Sequence, residues 1–378
     1  MRLSLLPLLA LALIAPRVLA QTPAPAPAPP RPKRILSPEI AEDHHVTFRV
    51  RAPQAQAVEL RGQWTTDKLA LAKDEEGVWS LTTGPVEAGV WEYSVIIDGL
   101  TMIDPANSVM KPQRFPSASI LHIPGTPPNV WDFQDVPHGA VHQHTYLSKA
   151  LGRPRDCVIY TPPGYETDTT RTYPLLVLQH GSGDNQQTWV THGKANWILD
   201  NLIAQGKARP MIILMIDGHP LGAFPREGSD RTKAMEAFRD ELFQDAIPLT
   251  EARYRVEKDA AHRAIAGLSM GGWQSLSIGL SSLDRFGAIG SFSGAPPEES
   301  FVAPAFADVA GTNQHLKLLW IAVGKDDFLR EKNELFVARL TEAKVNHEWH
   351  VTEGAHSWPV WRGYLAEFAP KLFVDAPR

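Results

Sequence analysis

Two rhythms of apolar residues divide the chain. From about Ile35 to Gly125 the period is two. Val46, Phe48 and Val50 alternate with Thr47, Arg49 and Arg51, and Val58-Glu59-Leu60 and Trp79-Ser80-Leu81 repeat the pattern. Trp91, Tyr93, Val95 and Ile97 make a longer stripe that stops at the turn Asp98-Gly99. Short alternating strands separated by turn residues predict a small all-β sandwich of immunoglobulin-like size over residues 35–125. From about Thr126 the texture changes. Solidly apolar runs (Asp156–Tyr160, Leu175–Gln179, Met211–Ile216, Ala264–Ala266, Ala288–Phe292, Leu318–Val323, His347–Val351) alternate with stretches of helical period. The latter are Asn196–Ala204, Ala234–Leu249, Leu329–Lys344 and Trp358–Leu372; in Leu329–Lys344, Leu329, Phe336, Leu340 and Ala343 fall on one face. Strand runs alternating with helices predict an α/β unit over residues 126–378, a mostly parallel sheet with helices on both faces.

The N-terminal end has a different composition. Met1–Ala20 pairs Arg2 with the apolar run Leu3–Ala15 and ends in Val18-Leu19-Ala20. It reads as a cleavable secretory signal, too short to span a bilayer. Residues 21–34, QTPAPAPAPPRPKR, read as an extended Pro/Ala linker. The expected location is therefore secreted or periplasmic, with no membrane anchor.

Charge narrows the field further. Thirty-seven basic residues against 42 acidic ones give a net charge of −5 among 378 residues, with no basic block of the kind that grips nucleic acid. The single cysteine, Cys157, lies in the run Asp156-Cys157-Val158-Ile159-Tyr160 and reads as a buried, inert thiol.

The chemistry concentrates around Gly267-Leu268-Ser269-Met270-Gly271. This G-x-S-x-G pentapeptide sits between a predicted strand and a predicted helix, the setting of the nucleophile elbow of α/β-hydrolases. A serine hydroxyl needs a base, and the base needs an orienting acid. In these folds they follow in the order Ser, Asp/Glu, His. The strand Leu318–Val323 runs into Gly324-Lys325-Asp326-Asp327-Phe328, where the G-x-x-D spacing favours Asp327 over Asp326. Of the histidines beyond, His347 and His350 fall in the predicted last strand. His356, in Gly354-Ala355-His356-Ser357-Trp358, sits in a loop able to reach both Ser269 and Asp327. An oxyanion needs two N–H donors. Met270 follows the nucleophile, and the loop His180-Gly181-Ser182-Gly183-Asp184-Asn185 offers Ser182, with Gly181 or Gly183 as alternatives. His180 reads as a support for that loop.

Two other patterns compete. His142-Gln143-His144, with His138 nearby, places two imidazoles on one strand face, but no carboxylate or thiolate of ligand spacing follows, so no metal is expected. Gly181-Ser182-Gly183 lacks the G-K-[ST] of a phosphate loop.

Several segments together resemble a known family. Tyr146-x-Ser148, Val158–Tyr165, Asp200–Ala204, Arg263–Gly272 and Gly354–Trp358 are similar to the esterase-D group, which holds feruloyl and acetylxylan esterases of carbohydrate esterase family 1 and has enterochelin esterases as relatives. The likeness runs from about Asp135 to Phe373. It implies an α/β-hydrolase fold and a Ser269–His356–Asp327 triad that needs no cofactor. The implied substrate is an esterified oligosaccharide or polysaccharide, or a small aromatic ester.

Thr47–Pro53 and Asp104–Asn107 resemble a family-48 carbohydrate-binding module. That implies a separable accessory domain able to meet sugar. Alternation assigns Trp79, Trp91 and Tyr93 to its core, and leaves Trp64, beside Gln63 and Thr65, as the exposed platform. The rival expectations are an enterochelin-type siderophore esterase, a mycolyl-transferase-type acyltransferase and a non-catalytic glycan-binding protein.

Overall fold

The computed structural model describes residues 34–222 and 229–374. The expected signal segment and nearly all of the Pro/Ala linker lie outside the described residues. Ile35 onward forms one compact unit.

Its first part is all β. One antiparallel sheet is built around Val46–Arg51 and Val78–Thr83, and a second around Val58–Gly62, Gly89–Ile97 and Ser119–Ile123. The alternation read from the sequence is the burial pattern observed over Val46–Arg51 and Val58–Gly62, whereas Leu81, Trp91 and Ile97 are only partly buried. Val46, Phe48 and Val50 from one sheet meet Val58, Leu60, Tyr93 and Val95 from the other in a single core. Trp79 and Tyr93 are buried there as expected. Trp64 is a correction. Its ring stacks on Phe48 at 5.9 Å between centroids and packs against the same core, so it is no free platform. Gly62 leaves it room, since a Cβ there would stand 2.5 Å from the Trp64 ring. Asp104, in the segment that resembled a carbohydrate-binding module, is a structural carboxylate. Its Oδ2 accepts from Ser37 and from the Tyr93 hydroxyl.

The second part is an α/β-hydrolase sheet. Its strands are β1 (Ala140–Ser148), β2 (Arg153–Thr161), β3 (Leu175–Gln179), β4 (Ile212–Ile216), β5 (Arg263–Leu268), β6 (Ala288–Phe292), β7 (Leu318–Gly324) and β8 (Glu348–Thr352). They lie in the order β1-β2-β4-β3-β5-β6-β7-β8. Only β2 runs against its neighbours. The central strands are buried on both faces, which is why they read as unbroken apolar runs. Ile265 faces one core and Ala264 and Ala266 the other.

The helices longer than one turn are α1 (Ala195–Ala204), α2 (Ser229–Glu241), α3 (Ile247–Arg253), α4 (Met270–Ser281), α5 (Glu299–Ala307), α6 (Val309–His315), α7 (Arg330–Glu342) and α8 (Trp358–Phe368). A π-helical turn, Leu242–Ala246, joins α2 to α3. It turns Glu241 and Asp245 toward the edge strands, where Tyr146 donates to Glu241 at 2.7 Å and Ser148 to Asp245 at 2.7 Å. These bonds explain the Tyr146-x-Ser148 motif as structural. Between β6 and β7 the chain forms the short helices α5 and α6. Pro304 is accommodated inside α5, and the Asp308 side chain caps α6 by accepting the Gly311 N–H. Cys157 is buried, and burial pushes its thiol up to about 12.

Candidate active site

The parallel register brings the chemistry to one edge of the sheet. Gln179 pairs with Gly267 across β3 and β5, and Leu268 with Phe292 across β5 and β6. The residues after each strand end, including His180, Ser269 and the loop 324–327, therefore gather at the carboxyl end, where open α/β sheets place their sites. Ser269 adopts φ 52 and ψ −113, a backbone region that costs about 1–3 kcal/mol and persists only where the surroundings enforce it. Its neighbours do so. A Cβ on Gly267 would lie 2.7 Å from the Gly271 carbonyl oxygen, and one on Gly271 would lie 2.6 Å from the His180 oxygen.

That crowding gives a stability test. Gly271→Ala forces backbone oxygens apart and should cost at least about 1–3 kcal/mol. Gly363→Ala, in the middle of α8 with open space around it, should stabilise by about 0.4–1 kcal/mol by restricting the unfolded chain. Denaturant unfolding of the two variants side by side checks both signs.

Ser269, His356 and Asp327 meet. The Ser269 Oγ lies 2.9 Å from His356 Nε2, and His356 Nδ1 lies 2.9 Å from Asp327 Oδ2. The other Asp327 oxygen accepts the Leu329 N–H at 2.8 Å. Asp327 is buried, whereas Asp326 is exposed and uses its own N–H on the Gly354 carbonyl. Burial acts to raise the Asp327 pKa. The hydrogen bonds from His356 and from the Leu329 N–H outweigh it, and the carboxyl sits below its ordinary value. Trp361 and Phe328 flank the imidazole, at 4.8 and 4.5 Å between centroids. His350 is elsewhere, stacked on Trp320, and His347 turns back on the Val345 carbonyl.

The loop after β3 lies against the nucleophile: a Cβ on Gly181 would stand 3.5 Å from the Ser269 Cβ. His180 supports the loop as expected. Its Nδ1 donates to the Gly181 carbonyl at 2.8 Å and its Nε2 accepts the Gly218 N–H at 2.9 Å. Gly183, with φ +86, gives its N–H to His219 Nε2 at 3.3 Å. The Ser182 N–H, like the Gly181 N–H and that of Met270 at the first position of α4, has no hydrogen bond among the described residues.

Sequence reasoning missed the residues that hold His219. Its Nδ1 donates to Asp217, 3.0 Å away, and Asp217 in turn accepts from Arg155 at 3.2 Å. Arg155 is clamped by both oxygens of the buried Glu241, at 2.7 and 3.0 Å. Burial acts to raise the Asp217 pKa, but its His180, His219 and Arg155 partners hold it well below the usual carboxylate range. The signal was Asp217-Gly218-His219, a carboxylate and an imidazole just past the end of β4. His180, Asp217 and His219 could share one ion by distance, yet their facing atoms are already spent in this chain of hydrogen bonds. The other histidine pair is also engaged, His142 with Thr161 at 3.0 Å and His144 with Tyr254 at 2.5 Å. A groove of about 490 Å³ on the N-terminal sheet, lined by Arg61, Gln63, Thr65, Thr101 and Ser117, includes none of the residues around Ser269.

The sequence model of the family described as Esterase matches residues 148–372, which contain all three of Ser269, Asp327 and His356. This chain belongs to that esterase family. The esterase is 33% identical over 346 residues to an endo-1,4-beta-xylanase/feruloyl esterase of Xylanibacter ruminicola; the match covers 89% of this chain and 46% of that protein. The chain thus spans less than half the length of that relative. It is 23% identical to an iron(III) enterobactin esterase of Escherichia coli, over 86% of this chain and 82% of the other. Among solved structures, a ferulic acid esterase superposes with a TM-score of 0.54 at 27% identity, covering 62% of this chain and 97% of that one.

Proposed function

We propose that this esterase is a secreted serine carboxylic-ester hydrolase that removes feruloyl or acetyl groups from plant cell-wall polysaccharide or oligosaccharide. One observation carries the chemistry: the unbroken hydrogen-bonded line from Ser269 through His356 to Asp327, 2.9 Å at each step. His356 takes the Ser269 proton as the oxygen attacks the ester carbonyl, then delivers it to the leaving alcohol. Asp327 holds the Nδ1–H tautomer, so that Nε2 faces the serine as an acceptor. The Met270 and Ser182 N–H groups receive the oxyanion. The acyl-enzyme forms, and water releases the acid by the same route. The substrate class follows from the feruloyl esterase likeness. A second reading, a siderophore esterase, is favoured by the enterobactin esterase that matches both parts of the chain. A panel of methyl ferulate, acetylated xylan, a short nitrophenyl ester and ferric enterobactin separates them. Turnover of ferric enterobactin alone would overturn the polysaccharide reading.

Phe328 gives a sharper test of an aryl substrate. It is 73% exposed although its ring touches His356, so one aromatic face stands open beside the reacting centre. Stacking on such a ring is worth about 0.5–1.5 kcal/mol. Phe328→Ala should therefore lower kcat/KM for methyl ferulate about two- to tenfold more than for 4-nitrophenyl acetate. Equal losses on both esters would remove Phe328 from the acyl site.

A further inference from the structure

Within the N-terminal domain, between the strands Leu100–Met102 and Ser119–Ile123, residues 110–114 lie along the loop that follows β3. Gln113 forms an isolated antiparallel bridge with Asp184. The Arg114 N–H donates to the Gly183 carbonyl at 2.9 Å. Thr188 donates its hydroxyl to the Pro112 carbonyl at 2.6 Å. Both ends of Gly183 are thereby fixed, its N–H by His219 and its oxygen by the N-terminal domain.

The side chains make the same connection. Lys111 is 7% exposed, and its Nζ sits 3.0 Å from Glu92 and 3.4 Å from Asp184. Glu92 also meets the fully buried His192 at 3.1 Å. Burial lowers the His192 pKa to about 3, so the imidazole is neutral and Lys111 is the cation between the two carboxylates. The Arg114 guanidinium reaches Asp217 at 3.4 Å, the same carboxylate that orients His219.

An oxyanion hole works through donors fixed in advance. A loop carrying Gly181 and Gly183 has little stiffness of its own. Its rigidity must come from what it touches, and here two lines of contact converge on Gly183 and Asp184, one from β4 and one from the N-terminal domain. A buried lysine is costly unless paired, and this one is spent on the loop that carries Ser182.

We propose that Lys111 and Arg114 are positioning residues for the oxyanion loop, which makes the N-terminal domain a working part of the active site rather than a detachable accessory. The proposal rests on the serine-esterase reading. That reading is tested separately by whether the wild-type chain hydrolyses 4-nitrophenyl acetate and Ser269→Ala does not.

The experiment uses the full chain and 4-nitrophenyl acetate, with the active sites of each preparation titrated by a fluorophosphonate. Rates per titrated site remove any effect of misfolded protein. Lys111→Met should lower kcat per site about 10- to 100-fold with KM within about twofold, a fraction of the loss expected when an oxyanion donor is deleted. Lys111→Arg, which keeps the charge, should recover most of the rate. Arg114→Ala, at a partly exposed position, should lower kcat about three- to tenfold with KM again unmoved. If Lys111→Met and Arg114→Ala both keep kcat per site within twofold of wild type, the proposal falls. Should Lys111→Met fail to fold, Arg114→Ala decides alone by the same criterion.

Discussion

Ser269→Ala is expected to lower kcat on every ester by about 10⁴-fold or more while leaving the fold intact. Alanine keeps the Cβ, so the packing of the elbow against Gly267 and Gly271 is unchanged. What disappears is the one hydroxyl hydrogen-bonded to His356 among the described residues, at 2.9 Å. The one cysteine does not replace it, since the thiol of Cys157 is buried in β2 and burial raises its pKa. Two measurements decide the matter. Steady-state rates give the loss, and mass spectrometry of wild-type protein quenched on a slow aryl ester should show an acyl adduct on the peptide bearing Ser269, absent from the variant. Activity within tenfold of wild type, in protein free of contaminating esterase, would end the serine-esterase reading.

The line through Ser269, His356 and Asp327 was legible because each member has a local signature. The serine lies between glycines, the aspartate closes a turn at the end of a strand, and the histidine occupies a glycine-containing loop before the last helix. The parallel core was legible for a related reason, as strands buried on both faces are unbroken apolar runs. Edge strand β1 was harder, because its burial alternates and its histidines drew attention as ligands. The support of the loop after β3 left little trace. Arg155 meets Glu241 across 86 residues and Asp217 across 62; Lys111 meets Asp184 only once two differently patterned regions have docked. A single sequence carries no record of such pairs. Trp64 failed for another reason: polar neighbours place a residue in a turn but do not say whether its ring folds back over the core.

Asp327→Asn should cost about 10³–10⁴-fold in kcat/KM, against a change within about threefold for Asp326→Asn at its exposed position. The reason lies in how the two oxygens of Asp327 are used. Oδ1 accepts the Leu329 N–H at 2.8 Å and Oδ2 accepts from His356 Nδ1 at 2.9 Å. An asparagine has one oxygen for these two donors. Keeping that oxygen on Leu329 turns the amide NH₂ toward Nδ1, which must then accept. The ring proton moves to Nε2, and the face toward Ser269 becomes a donor unable to take the hydroxyl proton. Reversing the amide rescues the tautomer but sets the NH₂ against the Leu329 N–H in a buried site, a clash of donors. Either way the imidazolium formed during attack loses its counter-charge. In the wild-type chain the Asp327 pKa is lowered, so the carboxyl stays ionised as pH falls through neutrality and protonates only below the ordinary carboxylate range. An acid limb near neutral pH in wild-type kcat/KM therefore belongs to another group, and Asp327→Asn should depress the plateau without being mimicked by mild acid. A larger loss at residue 326 than at 327 would reverse the assignment.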